Sequence, residues 1–214
     1  MRLLTLLSLL FLAGPALAGG QAVIRAGGAD VQQQMNIAWD GDRVRLDMPD
    51  QEAYMLVLDG KGYSVSNAGG RLIVMDLSSL PQHRGQGQSP APETVARITR
   101  LENTGKEETI AGIEGEVYEM AWIDGQGNAH EGDAVLTDDS LVREMQEAFW
   151  AFSQAVSQQD EKIGTRLREE GLATLRVKQD FVLEEISADT RPAEDFTLPA
   201  EPMDMQQMMR GMQP

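Results

Sequence analysis

The sequence contains no cysteine, and only two histidines, His83 and His130, occur among its 214 residues. The absence of cysteine excludes disulfide bonds, cysteine-ligated zinc, iron–sulfur clusters and thiol catalysis. A zinc site needs three or four ligands brought together, and neither a helical histidine pair nor a His-x-His arrangement is present. His130 lies beside Glu131 and close to Asp133, and we interpret it as an exposed strand residue.

Basic residues are also scarce, since 18 lysines and arginines stand against 34 aspartates and glutamates. The formal net charge is -16 and the pI is about 4.4. Such a surface repels a phosphate backbone, so nucleic acid is excluded as a partner, and adsorption to anionic membranes is disfavoured. The hydrophobic fraction of 42% is that of an ordinary soluble domain.

Motifs of catalysis are missing as well. The sequence holds no Gly-x-Ser-x-Gly elbow, no P-loop and no dinucleotide-binding fingerprint. Asp40 and Asp42 flank Gly41 but lack the twelve-residue calcium-loop pattern and its closing glutamate. Acidic pairs such as Asp138-Asp139 do not differ from a solvated acidic face. We therefore do not expect an enzyme, and we expect no cofactor other than the copper considered below.

Only one long hydrophobic run is present, at residues 3–12, and it follows the basic residue Arg2. It ends at Gly14-Pro15 and is followed by Ala16-Leu17-Ala18, which is typical of a secretory signal peptide cleaved after Ala18. A transmembrane anchor needs roughly 20 apolar residues, more than this run provides. No cysteine follows for lipid attachment. The prediction is a protein exported to the periplasm of a Gram-negative bacterium or secreted, with no transmembrane anchor in its mature form.

After residue 20, alternating apolar and polar segments and β-branched or aromatic segments predict a series of strands. Turns such as Asp59-Gly60-Lys61-Gly62, Ala111-Gly112 and Asn103-Thr104-Gly105-Lys106 separate them, and connections this short favour antiparallel neighbours. The predicted strands cover residues 22–26, 34–39, 43–48, 54–58, 62–66, 71–76, 95–101, 108–110, 113–123, 128–136, 172–177 and 181–186.

One clear helix is predicted at residues 140–157, because apolar residues recur there at spacings of three and four, with Asp139 or Ser140 as the N-cap. Residues 161–170 are compatible with one or two further helical turns. Residues 81–92 hold three prolines and no apolar residue larger than alanine, which predicts a flexible surface loop. We expect a signal peptide (1–18), one domain (19–202) and a Met-rich tail (203–214).

The order of these elements resembles the periplasmic half-barrel class of the lipoprotein carriers LolA and LolB. Three features also resemble a family of secreted bacterial domains related to that class: the hairpin at residues 54–63, the strand pair within residues 105–122, and Phe196-Thr197-Leu198-Pro199 before the Met-rich tail. The resemblance implies an α+β, mainly β fold, in which one amphipathic helix covers a curved antiparallel sheet, or half-barrel. It also implies a cleft for a hydrophobic ligand.

A strongly curved sheet with a helix against its concave side leaves an apolar cleft unless side chains fill it. The residues expected to line this cleft are aromatic: Trp39, Tyr54, Trp122, Phe149 and Phe152. The alternative is that these side chains simply pack a core. The principal functional prediction is a soluble periplasmic binding or carrier protein for a lipid or an acyl chain. Another envelope protein is the alternative partner.

The C-terminal tail suggests a second function, because it holds five of the 12 methionines within ten residues: Met203, Met205, Met208, Met209 and Met212. Thioether sulfurs are ligands that Cu(I) prefers. The alternatives are that the tail docks its methionines onto an apolar surface, or that it is disordered. A third functional class, an interaction or structural module without a small ligand, also stays open.

Overall fold

The structure is a computed structural model, and it describes residues 19–28, 31–49, 51–77, 95–124, 127–157 and 162–203. The predicted signal peptide, the predicted loop at residues 81–92 and the tail beyond Met203 lie outside these residues. Within the described ranges, no helix is both long and apolar enough to cross a membrane.

Eleven strands form one sheet, in the order β6-β5-β4-β3-β2-β1-β11-β10-β9-β8-β7, and every pair of neighbours is antiparallel. The pairing of β1 with β11 joins two meanders, one on each side. This confirms the predicted mainly β, antiparallel fold. The strands are β1 (Gly19–Gly28), β2 (Val31–Asp40), β3 (Arg43–Met48), β4 (Ala53–Leu58), β5 (Lys61–Ala68), β6 (Arg71–Asp76), β7 (Val95–Ile110), β8 (Ile113–Asp124), β9 (Ala129–Thr137), β10 (Ala173–Val177) and β11 (Phe181–Ser187).

Two-residue turns join several of these strands, as the sequence predicts. At Asp59-Gly60, φ is 51° and 70°, and at Ala111-Gly112 it is 51° and 80°. Positive φ at both central residues defines the type I′ turn, whose twist matches that of the strands it connects. These turns fix the register of the hairpins β4–β5 and β7–β8.

The prediction of a turn at Asn103-Thr104-Gly105-Lys106 is wrong. These residues lie inside β7, where the pairing with β8 shifts register between Asn103 and Lys106. The Asn103 carboxamide accepts a hydrogen bond from the Gly105 N–H at 2.7 Å, and the Thr104 hydroxyl donates to the Val117 carbonyl at 2.7 Å. These local bonds hold the extra residues in a bulge, so the strand continues instead of reversing.

The helix predicted at residues 140–157 is α1 (Ser140–Ser157), and the further helical turns are α2 (Lys162–Glu169). Asp139 caps α1, because its carboxylate accepts hydrogen bonds from the N–H groups of Leu141 and Val142 at 2.9 and 3.1 Å. A 3-10 helix (Ala193–Phe196) precedes the end of the described chain.

Helix α1 contacts seven neighbouring strands, from β10 through β11, β1, β2, β3 and β4 to β5. Eighteen helical residues span about 27 Å, and six spacings between strands span about 29 Å. The helix therefore runs across the strands instead of along them.

Buried apolar residues form three clusters. The largest joins α1 to the central strands, and we call the side of the sheet that carries it the helix face. The opposite face carries two smaller clusters. One contains Met120, Trp122, Ala134, Leu136 and Leu167 of α2, and the other contains Leu56, Val65 and Val74, with Leu198 packed against it.

Candidate functional site

The five aromatic residues of the predicted cleft do not lie together. Trp39, Phe149 and Phe152 belong to the helix-face cluster, where the rings of Phe149 and Phe152 are 6.4 Å apart. Tyr54 packs with Leu56 and Trp122 packs with Met120, both on the opposite face. The division follows from strand geometry, because successive side chains point to opposite faces.

On the helix face, residues that are paired across neighbouring strands lie side by side, and we call each such line of residues a row. The row beneath the C-terminal half of α1 ends at Gly62, where an added Cβ would lie 3.0 Å from the Ala155 carbonyl oxygen of the helix. This row contains Gly20, Trp39, Val44, Val57 and Gly62. The N-terminal half of α1 is fixed over β10, because the Thr174 N–H donates to the Gln146 carboxamide at 2.8 Å.

Further rows of the same face carry apolar side chains that are only partly buried. Met55 lies one row beyond Val57, and Met35 lies two rows beyond Trp39. Ala26 pairs with Phe181 in the fourth row. All four residues pack against the helix-face cluster but retain solvent exposure. We call Ala26, Met35, Met55 and Phe181 the open strip.

The Trp39 indole carries an unpaired polar atom. Trp39 is 2% exposed, and its Nε1–H has no hydrogen-bond acceptor among the described residues. A buried indole N–H usually has a partner. Trp39 therefore places an unused hydrogen-bond donor inside the largest apolar cluster.

A charged cluster lies toward the other end of the sheet, around Arg176 of β10. Its guanidinium donates to the Glu108 carboxylate at 2.8 and 3.3 Å and to the Asp133 carboxylate at 2.6 Å, and also to the Lys178 carbonyl at 3.2 Å. The hydrogen bond from Arg176 lowers the pKa of Asp133, and the hydrogen bond to Glu108 raises the pKa of Arg176. Arg176 is therefore engaged by its own chain and is a poor anchor for an anionic ligand.

An open cavity of about 420 Å³ adjoins this cluster and is lined by Asp133, Arg176, Lys178, Gln179 and Asp180. Two acidic and two basic side chains balance within it. The cavity offers both hydrogen-bond donors and acceptors, but no preference for one sign of charge.

The structure corrects the interpretation of His130 as an exposed strand residue. Its ring stacks on Trp122 at 5.5 Å, and its Nε2 lies 2.9 Å from the Asp124 carboxylate, which is 6% exposed. Asp124 also accepts two hydrogen bonds from Asn128, and the Lys178 ammonium lies 5.1 Å from the Trp122 ring. The sequence signal that could have predicted the contact between His130 and Trp122 is the hairpin turn after β8, because this turn pairs the two residues on neighbouring strands.

The described ranges contain no group of three or more histidine, aspartate or glutamate side chains able to hold a metal ion. Of the five predicted tail ligands for Cu(I), the structure describes Met203 alone; Met205, Met208, Met209 and Met212 lie outside the described residues. Met203 pairs in parallel with Met75 at the edge of the sheet, and its N–H donates to the Val74 carbonyl at 2.8 Å.

Comparison with known proteins adds no assignment, since no protein-family model and no curated protein matches the chain. The relationship to the LolA and LolB class therefore stays a prediction from the order of elements.

Proposed function

We propose that the protein is a periplasmic binding or carrier protein that holds a hydrophobic ligand, a lipid or an acyl chain, between α1 and a curved sheet. The observation that carries this proposal is the open strip, a group of partly buried apolar side chains that continues the largest apolar cluster. Partly exposed apolar residues that continue a core are typical of the wall of a binding groove.

The dimensions support a groove on the helix face. A helix with its side chains is about 10–12 Å wide, whereas two successive rows of a strand are about 7 Å apart. One helix therefore covers fewer than two rows, and the open strip, whose members lie in the second to fourth rows, extends beside it. Antiparallel sheets twist, and open sheets of more than about ten strands tend to curl. We infer that this sheet curls around α1 as a half-barrel.

The Trp39 indole supports a ligand with one polar group. Its unpaired N–H can donate to a carbonyl or hydroxyl oxygen that enters the apolar cluster. An acyl ester or a fatty acid supplies such an oxygen together with a long apolar chain.

Native mass spectrometry of the mature protein purified from its own periplasm tests the proposal, with a denaturing measurement for comparison. We expect an additional mass in the lipid range that is present in the native measurement and lost on denaturation. A bare native mass, together with no binding of fatty acyl probes by delipidated protein, would contradict a carrier function.

A matched pair of variants locates the ligand. Met35 and Gln34 are neighbours on β2 that point to opposite faces, and Gln34 is exposed. Met35→Glu places a charge in the open strip and should weaken fatty acyl binding more than tenfold, since burying an unpaired carboxylate is costly. Gln34→Glu introduces the same charge on the opposite face and should leave binding unchanged. Equal effects would place the ligand elsewhere.

Cu(I) binding is the second candidate, and the observation that favours it is the pairing of Met75 with Met203. Paired residues of parallel strands present their side chains on the same face, so two thioethers lie side by side at the point where the Met-rich tail begins. Titration of Cu(I) against a chromophoric chelator tests this candidate. Met75→Leu should weaken Cu(I) binding, and an unchanged affinity would exclude Met75 as a ligand.

A further inference from the structure

The C-terminal segment crosses from one face of the sheet to its edge. Leu198 packs on the opposite face, in the cluster of Leu56 and Val65. Five residues later, Met203 is hydrogen-bonded to Val74 on the outer side of β6, the last strand of the sheet. The chain therefore moves around this edge as it approaches residue 204.

At the β6 edge, Met203 lies on the helix face of the sheet. Met203 pairs with Met75, and register places Met75, Ser64 and Met55 in one row. Met55 belongs to the open strip, so the side chain of Met203 is on the side of the sheet that carries the strip. Met203 is 37% exposed and, with Leu72, is one of two large apolar side chains that are exposed among the described residues.

The eleven residues 204–214 are long enough to cross this face. From the position of Met203 to β2 there are five strand spacings, about 24 Å, whereas eleven extended residues span up to about 36 Å. The segment carries four methionines, whose flexible thioether side chains fit irregular apolar surfaces. Its side chains include one acidic and one basic group, those of Asp204 and Arg210, so the side chains together bring no net charge to an apolar surface.

We propose that residues 204–214 fold around the β6 edge and dock their methionines on the open strip, in the place of the hydrophobic ligand. The proposal rests on the proposed function for the identity of the competing ligand, but the docking itself does not require one. The tail then protects the apolar surface in the absence of a ligand and is displaced when a ligand binds.

The absence of cysteine makes the docking directly measurable, because any introduced thiol is the only one in the chain. Single-cysteine variants Met35→Cys and Met55→Cys report on the open strip, and Gln34→Cys reports on the opposite face. Each is prepared in the full chain and in a chain ending at Met203, and the delipidated proteins are alkylated with iodoacetamide.

Truncation should raise the alkylation rate about tenfold at Met35→Cys and Met55→Cys, the factor that burial of roughly one methionine side chain provides. The rate at Gln34→Cys should not change. Equal rates at Met35→Cys and Met55→Cys with and without the tail would overturn the proposal.

Two full-length variants separate apolar docking from a role of the sulfur atoms. Replacing Met205, Met208, Met209 and Met212 by leucine should keep the protection, because leucine is apolar and similar in size. Replacing the same four residues by glutamine should abolish the protection. Loss of protection in the leucine variant would overturn apolar docking.

Fatty acyl probe binding is measured on the same proteins to separate this proposal from the proposed function. The truncated chain should bind the probe about tenfold more tightly than the full chain, since the tail no longer competes. Protection by the tail with no probe binding to either chain would establish the docking and remove the carrier function. Probe binding of equal affinity to both chains would overturn the competition.

Discussion

The two faces of the sheet are stabilised in different ways. On the helix face, one apolar cluster extends from β3 and β4 across the centre of the sheet to β10 and is closed by α1. On the opposite face, two small clusters lie near the two ends of the sheet, one beside α2 and one beside Leu198. Between them, Asp47 forms ion pairs with Arg45 and Arg191 at 2.8 and 2.6 Å.

The difference is the reason why the proposed ligand is assigned to the helix face. A continuous apolar surface can be extended by an apolar ligand without breaking any hydrogen bond. The opposite face is divided by charged residues that already have partners, so a ligand there would have to displace them. The following predictions test this contrast, beginning with the largest effect.

Phe152→Ala should have the largest effect on stability. Phe152 is 7% exposed and lies in the helix-face cluster between α1 and the strands, so its truncation should lower the free energy of unfolding by about 3–5 kcal/mol. Leu167→Ala removes a buried side chain of the short helix α2 on the opposite face and should cost about 2 kcal/mol. Urea denaturation measures both. An equal or larger loss for Leu167→Ala would contradict the contrast.

Alanine substitutions at two glycines, one on each face of the sheet, compare how tightly the two faces are packed. An added Cβ at Gly20 would overlap the Trp39 indole and lie 2.9 Å from the Ser187 carbonyl oxygen. These groups cannot move freely, so Gly20→Ala should destabilise by about 1–3 kcal/mol. At Gly132 the obstacle is the flexible Lys178 side chain, and Gly132→Ala should cost less than about 1 kcal/mol. Thermal unfolding of the two variants is the measurement, and the reverse order would refute the comparison.

Arg176→Met tests the charged cluster beyond the open strip. The acidic partners Glu108 and Asp133 are partly exposed, so screening by solvent limits the expected loss to about 1 kcal/mol at neutral pH. The hydrogen bond from Arg176 gives Asp133 a lower pKa in the folded than in the unfolded chain. The stabilisation is therefore complete above the ordinary aspartate pKa of about 3.9 and is lost as pH falls further.

Urea denaturation of the wild type and Arg176→Met between neutral and acidic pH measures this effect. The difference in stability should persist down to about pH 4 and shrink below it. A difference that grows with acidification would show that Asp133 does not bind Arg176 in the folded protein.

The smallest effect is expected at a turn. Ala111 is exposed and adopts φ of 51°, a left-handed conformation that L-residues other than glycine, asparagine and aspartate disfavour. Ala111→Gly should relieve this strain and stabilise the protein by about 0.5–1 kcal/mol. A rise in the melting temperature, with unchanged probe binding, is the expected result. Destabilisation would show that the turn carries no strain.

Local features were predicted most successfully. The recurrence of Leu141, Met145, Phe149 and Phe152 at spacings of three and four predicted a helix at about residues 140–157, and α1 is Ser140–Ser157. Apolar residues at this spacing lie on one face of an α-helix, whereas a strand places them on alternating faces. The hairpin turns were predicted from glycines that tolerate positive φ. At Gly105 the same signal was misleading, since a left-handed glycine also occurs in a bulge, and only the continued pairing with β8 separates the two.

Contacts between distant segments were not predictable. Arg176 reaches Glu108, 68 residues away, and Arg191 reaches Asp47, 144 residues away. The division of the five aromatic residues between the two faces was missed because the pairing register of the strands was not predicted. A shift of one residue in register moves every side chain to the other face, so composition alone cannot place Tyr54 or Trp122.

The sequence by itself determined the antiparallel meanders, the position of α1 and the excess of negative charge, because hydrophobic period, turn residues and formal charge are local properties of the chain. Only the tertiary structure decided that β1 pairs with β11, that α1 crosses seven strands, and that Met203 arrives at the β6 edge beside Met75. These arrangements depend on pairing between residues far apart along the chain, where many alternatives share the same local pattern and burial of one continuous apolar face selects among them.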